Sequence, residues 1–159
     1  MKHHYFFLLL ISILIKSNLT AQSYFQQEVN YTISVKLDDV KHELQASEKI
    51  EYVNNSPNPL SFIYMHLWPN AYKDNSTPLA KQLYQGGETT LYYATDEEKG
   101  FIDQLDFKVD DQPVKWELLK DSIDICKIYL NTPLPAKGKI TITTPFHVKL
   151  PSAKISRLG

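Results

Sequence analysis

One cysteine and five glycines in 159 residues leave this chain without two common ways of building a small fold. A solitary Cys126 cannot form an internal disulfide, so stability has to come from packing. The one glycine pair, Gly86-Gly87, lacks both the preceding strand and the following lysine of a phosphate loop. No excess of either charge exists: 17 basic side chains stand against 18 acidic ones, a formal net charge of −1. Without a basic patch there is no electrostatic footprint for nucleic acid, and without a polybasic stripe there is none for an anionic membrane surface. Internal repeats and low-complexity tracts are absent as well.

Catalytic motifs are missing too. His42-Glu43-Leu44-Gln45-Ala46 begins like the H-E-x-x-H zinc signature, which works because histidines at i and i+4 share one face of a helix. Here Ala46 stands in place of the second histidine, in a segment that reads as strand, where neighbouring side chains point oppositely. His66 and His147 are isolated in apolar strands and read as packed or solvated side chains. Cys126 alternates with buried positions and reads as a small hydrophobe. No serine has a G-x-S-x-G context. The adjacent carboxylates Asp38/Asp39, Glu97/Glu98 and Asp110/Asp111 fall in turns, where they serve turn chemistry rather than a catalytic dyad. No catalytic, metal-binding or cofactor-binding residue is assigned within this chain.

What is present begins with the longest apolar run, residues 5–15 (YFFLLLISILI). As a helix it would reach only about 16 Å at ~1.5 Å per residue, against roughly 30 Å of bilayer hydrocarbon. Lys2 precedes it, Lys16-Ser17-Asn18 follows, and Leu19-Thr20-Ala21 offers a small-residue exit. This is the pattern of a secretory signal peptide over residues 1–21, with cleavage between Ala21 and Gln22. Export to a periplasm or the extracellular space is expected, with no membrane attachment after cleavage, since no lipidation cysteine lies near Ala21.

Beyond that junction the chain reads as all-β: an antiparallel saddle-like or sandwich domain with one long loop carrying a short helix. Residues 28–38 (EVNYTISVKLD) alternate, with Val29, Tyr31, Ile33, Val35 and Leu37 on one face of a half-buried strand. After a tight turn at Asp38-Asp39, a second strand over residues 40–53 turns Leu44, Ala46, Ile50 and Tyr52 inward. Residues 60–67 (LSFIYMHL) are nearly all apolar and predict a central strand covered on both faces. Thr77-Pro78 predicts a capped helical turn that Gly86 ends, followed by an exposed excursion over residues 88–99. Further strands are expected over residues 101–109, 114–119, 123–130, 139–144 and 146–150. A hairpin turn at residues 110–113 joins the first two of these, and a proline-rich turn spans residues 131–138. Pro145 implies an edge or a bulge. Trp68, Tyr92 and Tyr93 are candidate surface contacts. Asn30-Tyr31-Thr32 and Asn75-Ser76-Thr77 match the glycan sequon.

Several segments, in order, resemble the N-terminal β domain of the aminopeptidase N family of zinc metallopeptidases, in its secreted bacterial branch. The opening hairpin contributes Val29 to Asp38 and then Ala46-Ser47-Glu48-Lys49-Ile50-Glu51-Tyr52-Val53-Asn54, similar to the family's x-G/A-x-E-x-I-x-Y-x-N pattern. His66-Leu67-Trp68-Pro69-Asn70 matches the close of its third strand, Leu-x-x-N. Residues 130–146 resemble a late stretch of the form L-x-x-P-L-x-x-G-x-x-x-x-I-x-x-x-F through Leu130, Pro133, Leu134, Ile142 and Phe146, but Lys137 stands at the glycine position and Gly138 follows it. The resemblance implies a domain over residues 22–151, with residues 152–159 starting a truncated continuation. In that family the domain is non-catalytic and walls the substrate cleft of a following thermolysin-like domain. That second domain holds the zinc, the general-base glutamate and the G-x-M-E-N signature, and it hydrolyses peptides. None of those motifs occurs here, so this chain is expected to be inactive alone, with the missing catalytic domain as its partner. The alternative is a free-standing exported β-sandwich that binds a glycan or protein through Trp68, Tyr92 and Tyr93.

Overall fold

The computed structural model describes residues 24–157. The signal segment and the Ala21–Gln22 junction lie outside the described residues. The chain forms β1 (Glu28–Asp38), β2 (Glu43–Val53), β3 (Leu60–His66), a 3-10 turn (Trp68–Tyr72) and the helix α1 (Pro78–Gln85). Then follow β4 (Phe101–Asp103), β5 (Lys108–Val109), β6 (Gln112–Pro113), β7 (Trp116–Leu119), β8 (Ser122–Leu134) and β9 (Lys139–Lys149). All pairings are antiparallel. A six-stranded sheet runs β1-β2-β9-β5-β6 with β4 also on β9, and a three-stranded sheet runs β3-β8-β7. The domain is all-β, with two sheets packed face to face and neither closed into a barrel.

The opening hairpin has the expected strand, Glu28–Asp38, but a longer turn than Asp38-Asp39 alone. Residues 39–42 form it, His42 adopts φ 56°, and pairing resumes at Asp38↔Glu43. Asp38 explains this, because its Oδ1 accepts from the amides of Val40 (3.2 Å) and Lys41 (3.0 Å), an Asx-type turn. The second hairpin turn is shorter than expected. Asp110 and Asp111 both take positive φ (48° and 64°) between Val109 and its partner Gln112, the geometry of a type I′ turn. The strand expected over residues 101–109 is split, with a break at Gln104, whose φ is 57°.

Three expectations are corrected by the sheets. Residues 60–66 do not form a central strand covered on both faces: β3 is an edge of the smaller sheet, and Phe62 and Tyr64 are exposed. Its apolar outer face is instead built around a cation, with Lys127 Nζ 4.1 Å from the Phe62 ring centre and 4.8 Å from that of Tyr129. Pro145 does not break residues 139–150 in two. It lies within β9, between the stretch that pairs with β5 (Thr143, Ile142) and the stretch that pairs with β4 (His147 to Lys149). The ladder on that side is open at the proline, so one missing amide is tolerated. Finally, β8 runs on through Pro133 to Leu134, shortening the proline-rich turn.

The core lies between the sheets and includes Ile50, Ile63, Phe107, Cys126, Ile128, Ile140 and Ile142. Helix α1 begins as the sequence predicts: Thr77 Oγ1 accepts from the Ala80 amide at 3.1 Å, and Pro78 opens the first turn. The Thr77 hydroxyl also donates to the Ala71 carbonyl at 2.8 Å, docking the helix onto the 3-10 turn. Residues 151–157 are held down against the rest of the domain. Pro151 is buried, the Ser152 amide donates to the Glu98 carbonyl, and Lys154 Nζ meets Glu98 Oε1 at 2.6 Å.

Candidate functional site

The alternation in β1 places Tyr31, Ile33, Val35 and Leu37 on the inward face of the larger sheet, opposite Ile50, Glu48, Ala46 and Leu44. A half-buried strand was expected, yet these four side chains are 60%, 51%, 53% and 59% exposed. The smaller sheet has three strands among the described residues, and its cover stops at β2, where Ile50 is 2% exposed. The inward face of β1 is therefore apolar and open.

Where the cover stops, a groove of about 430 Å³ lies between the sheets. Tyr31, Glu48, Ile50 and Tyr52 line one side, Tyr64 to Trp68 the other, and Ile102, Leu105 and Phe146 contribute to its apolar lining. At its rim the His66 and Trp68 rings stack, with centres 4.7 Å apart and planes 10° from parallel. Trp68 is 61% exposed.

Among the described residues, Glu48 is the one acidic side chain lining this groove. It occupies the cross-strand row Ile33–Glu48–Thr144, between an open position and a buried one. No hydrogen bond or ion pair to Glu48 is present among the described residues. Burial alone holds its carboxyl above the ordinary glutamate range. The linkage sign follows from that direction. A raised carboxyl binds more protons folded than unfolded, so its contribution to stability is present below the unfolded pKa and is lost as pH rises through the folded one. Glu48→Gln is therefore expected to raise stability at pH 7, with the advantage shrinking toward zero as wild-type Glu48 protonates in acid. Paired thermal melts from pH 3.5 to 7.5 check this, and a Glu48→Gln protein no more stable than wild type at pH 7 would sink it.

Period two already put Glu48 on the inward face, but the inward set read from the sequence ran Leu44, Ala46, Ile50, Tyr52 and passed over it. The signal that could have found it is a charged residue standing in an apolar register.

The aromatic candidates do not form one group. Trp68 belongs to the groove, whereas Tyr92 and Tyr93 cluster with Tyr84: ring centres are 4.6 Å apart for Tyr84–Tyr92 and 5.1 Å for Tyr92–Tyr93. His42 lies in the β1–β2 turn, so only Glu43 to Ala46 of the partial zinc signature are on a strand. His147 is buried against Phe101 and bridges three strands, with Nδ1 2.8 Å from Asp103 Oδ1 and Nε2 3.5 Å from Glu43 Oε2. Its two carboxylates lie at opposite nitrogens and cannot converge on one ion, and no three such side chains could hold a metal among the described residues. Cys126 is fully buried, and burial pushes its thiol up to about 11. Asn54 and Asn70, which close two of the patterns resembling the aminopeptidase domain, are structural. Asn70 Nδ2 donates to the Ile123 carbonyl (3.1 Å), and its Oδ1 accepts from the Ile102 amide (3.0 Å).

No protein-family model and no curated protein matches this chain.

Proposed function

We propose that this chain is the N-terminal, non-catalytic domain of a secreted zinc-dependent aminopeptidase, scaffolding and walling the substrate cleft of a catalytic domain that follows it. The observation that supports this best is the open apolar face of β1 and the groove beside it. A contiguous apolar surface of this kind marks a place where another protein body packs. The ordered strand patterns that resemble the aminopeptidase N family point the same way. In this reading zinc and the water it activates belong to the second domain, whose substrates are peptides, and residues 1–21 direct export before cleavage at Ala21–Gln22. The domain supplies surface and position rather than a reacting group.

A second reading draws on the Tyr84–Tyr92–Tyr93 cluster, whose rings are 49%, 42% and 74% exposed. Stacked exposed rings suit a glycan or protein contact on a free-standing module. One experiment separates the two: reading the coding DNA for about 1.5 kilobases past the codon of Gly159, room for a larger second domain. The expected result is an open frame encoding an H-E-x-x-H helix and a downstream glutamate. A stop codon followed by unrelated sequence overturns the aminopeptidase reading and leaves the binding module.

A further inference from the structure

Among the described residues β1 ends the larger sheet and β3 ends the smaller one, so two strand edges without a neighbour there border the groove. A free edge presents unpaired backbone groups that another extended chain can use. The groove is open along its side, with Tyr31 and Trp68 both more than half exposed. Small-ligand sites instead bury most of their ligand. Within this apolar lining stands Glu48, without a partner among the described residues. A half-buried carboxylate among apolar groups is favoured by a cation that meets it, and aromatic walls such as Tyr31, Tyr52 and Trp68 suit both the stem and the head of a basic side chain.

We propose that this groove takes an extended polypeptide segment of a partner that carries one lysine or arginine among apolar residues, with Glu48 as its counter-charge. Alternate side chains of an added strand point one way, so an apolar–basic–apolar set at every second position would face the groove while the backbone pairs with a free edge. This deepens the reading of the open face as a surface covered by another domain, and on that reading it names the chemistry of what covers it.

The test uses three heptapeptides, acetyl-Thr-Val-Thr-X-Thr-Val-Thr-amide with X as lysine, norleucine or glutamate. Each is titrated into the wild-type chain, Glu48→Gln and Glu48→Lys, and binding is followed by amide and Trp indole NMR shifts. Amide dispersion in the same spectra reports that each variant is folded. The lysine peptide is expected to bind wild type about tenfold or more tightly than the norleucine peptide, as a partly desolvated charge pair allows. Glu48→Gln should erase that preference, and Glu48→Lys should transfer it to the glutamate peptide. Lysine and norleucine peptides binding wild type equally, a lysine preference surviving in Glu48→Gln, or no peptide binding at all would each overturn the proposal. None of these outcomes depends on what the downstream DNA encodes. A catalytic domain found there, with no charge preference in the groove, removes this inference and leaves the functional reading standing. The reverse pair of results does the opposite.

Discussion

Asn54→Ala is expected to destabilise the fold by about 3 kcal/mol or more, lowering the urea midpoint without abolishing the cooperative transition. Asn54 has no exposed surface. Its Nδ2 amide faces the carbonyls of Asn58 (2.9 Å), Leu134 (3.1 Å) and Pro135 (3.1 Å). Its Oδ1 accepts from the Ser56 amide (3.0 Å) and the Ser56 hydroxyl (2.6 Å). Its backbone pairs with Gly138 and Lys137. One side chain thus fastens the end of β2 to the turn at residues 55–59 and to the end of β8. Alanine would leave several buried groups without partners, and each such group costs roughly 1–3 kcal/mol. Asn54→Asp keeps the acceptor but loses the donors and buries a charge, so it should fare no better. A loss below about 1 kcal/mol for Asn54→Ala would show that water replaces these bonds and that the residue is no hub.

Two isoleucines on the same face of the same sheet should differ sharply in what their substitution costs. Ile142 is 1% exposed, pairs with Ile50 and Val109, and belongs to the core between the sheets. Ile142→Ala is expected to cost about 3 kcal/mol, within the 2–5 range for isoleucine truncation in a well-packed core. Ile33 is 51% exposed on edge strand β1. Ile33→Thr keeps the β-branched shape and should shift stability by under about 0.5 kcal/mol. Urea titrations at two protein concentrations measure both variants under one protocol. A cost at Ile33 comparable to that at Ile142 would mean the β1 face is covered in solution, which removes the main support for the proposed function. A near-neutral Ile33→Thr together with a costly Ile142→Ala is the signature of a face left open for something else.

The parts of the fold legible in sequence were those governed by neighbours along the chain. Strand β1 and the inward set of β2 follow from period-two alternation, because the pleat itself sends successive side chains to opposite faces. The helix start at Thr77-Pro78 and its stop at Gly86 follow from which residues can satisfy, or need not satisfy, the orphan amides of a first turn. Turn lengths were less legible. Asp38 bends the chain through its own carboxylate and Asp110-Asp111 through positive φ, and both look alike as a pair of acidic residues. The candidate site was legible only in fragments. Trp68 was singled out as a surface contact, but Glu48 stayed hidden because a charge in an apolar register acquires meaning only when the opposite wall is known.

The sequence by itself therefore determined an antiparallel β domain, its opening hairpin, the apolar inward positions of the two hairpin strands and the capped helix. Tertiary structure decided which of those faces are buried. It made an apolar stretch, Leu60–His66, an edge rather than a centre, carried β9 through Pro145 into the middle of a sheet, and left β1 uncovered. The physical reason is that alternation is enforced locally by backbone geometry, whereas burial depends on what lies about 10 Å across the interior, between sheets whose strands are distant in the chain.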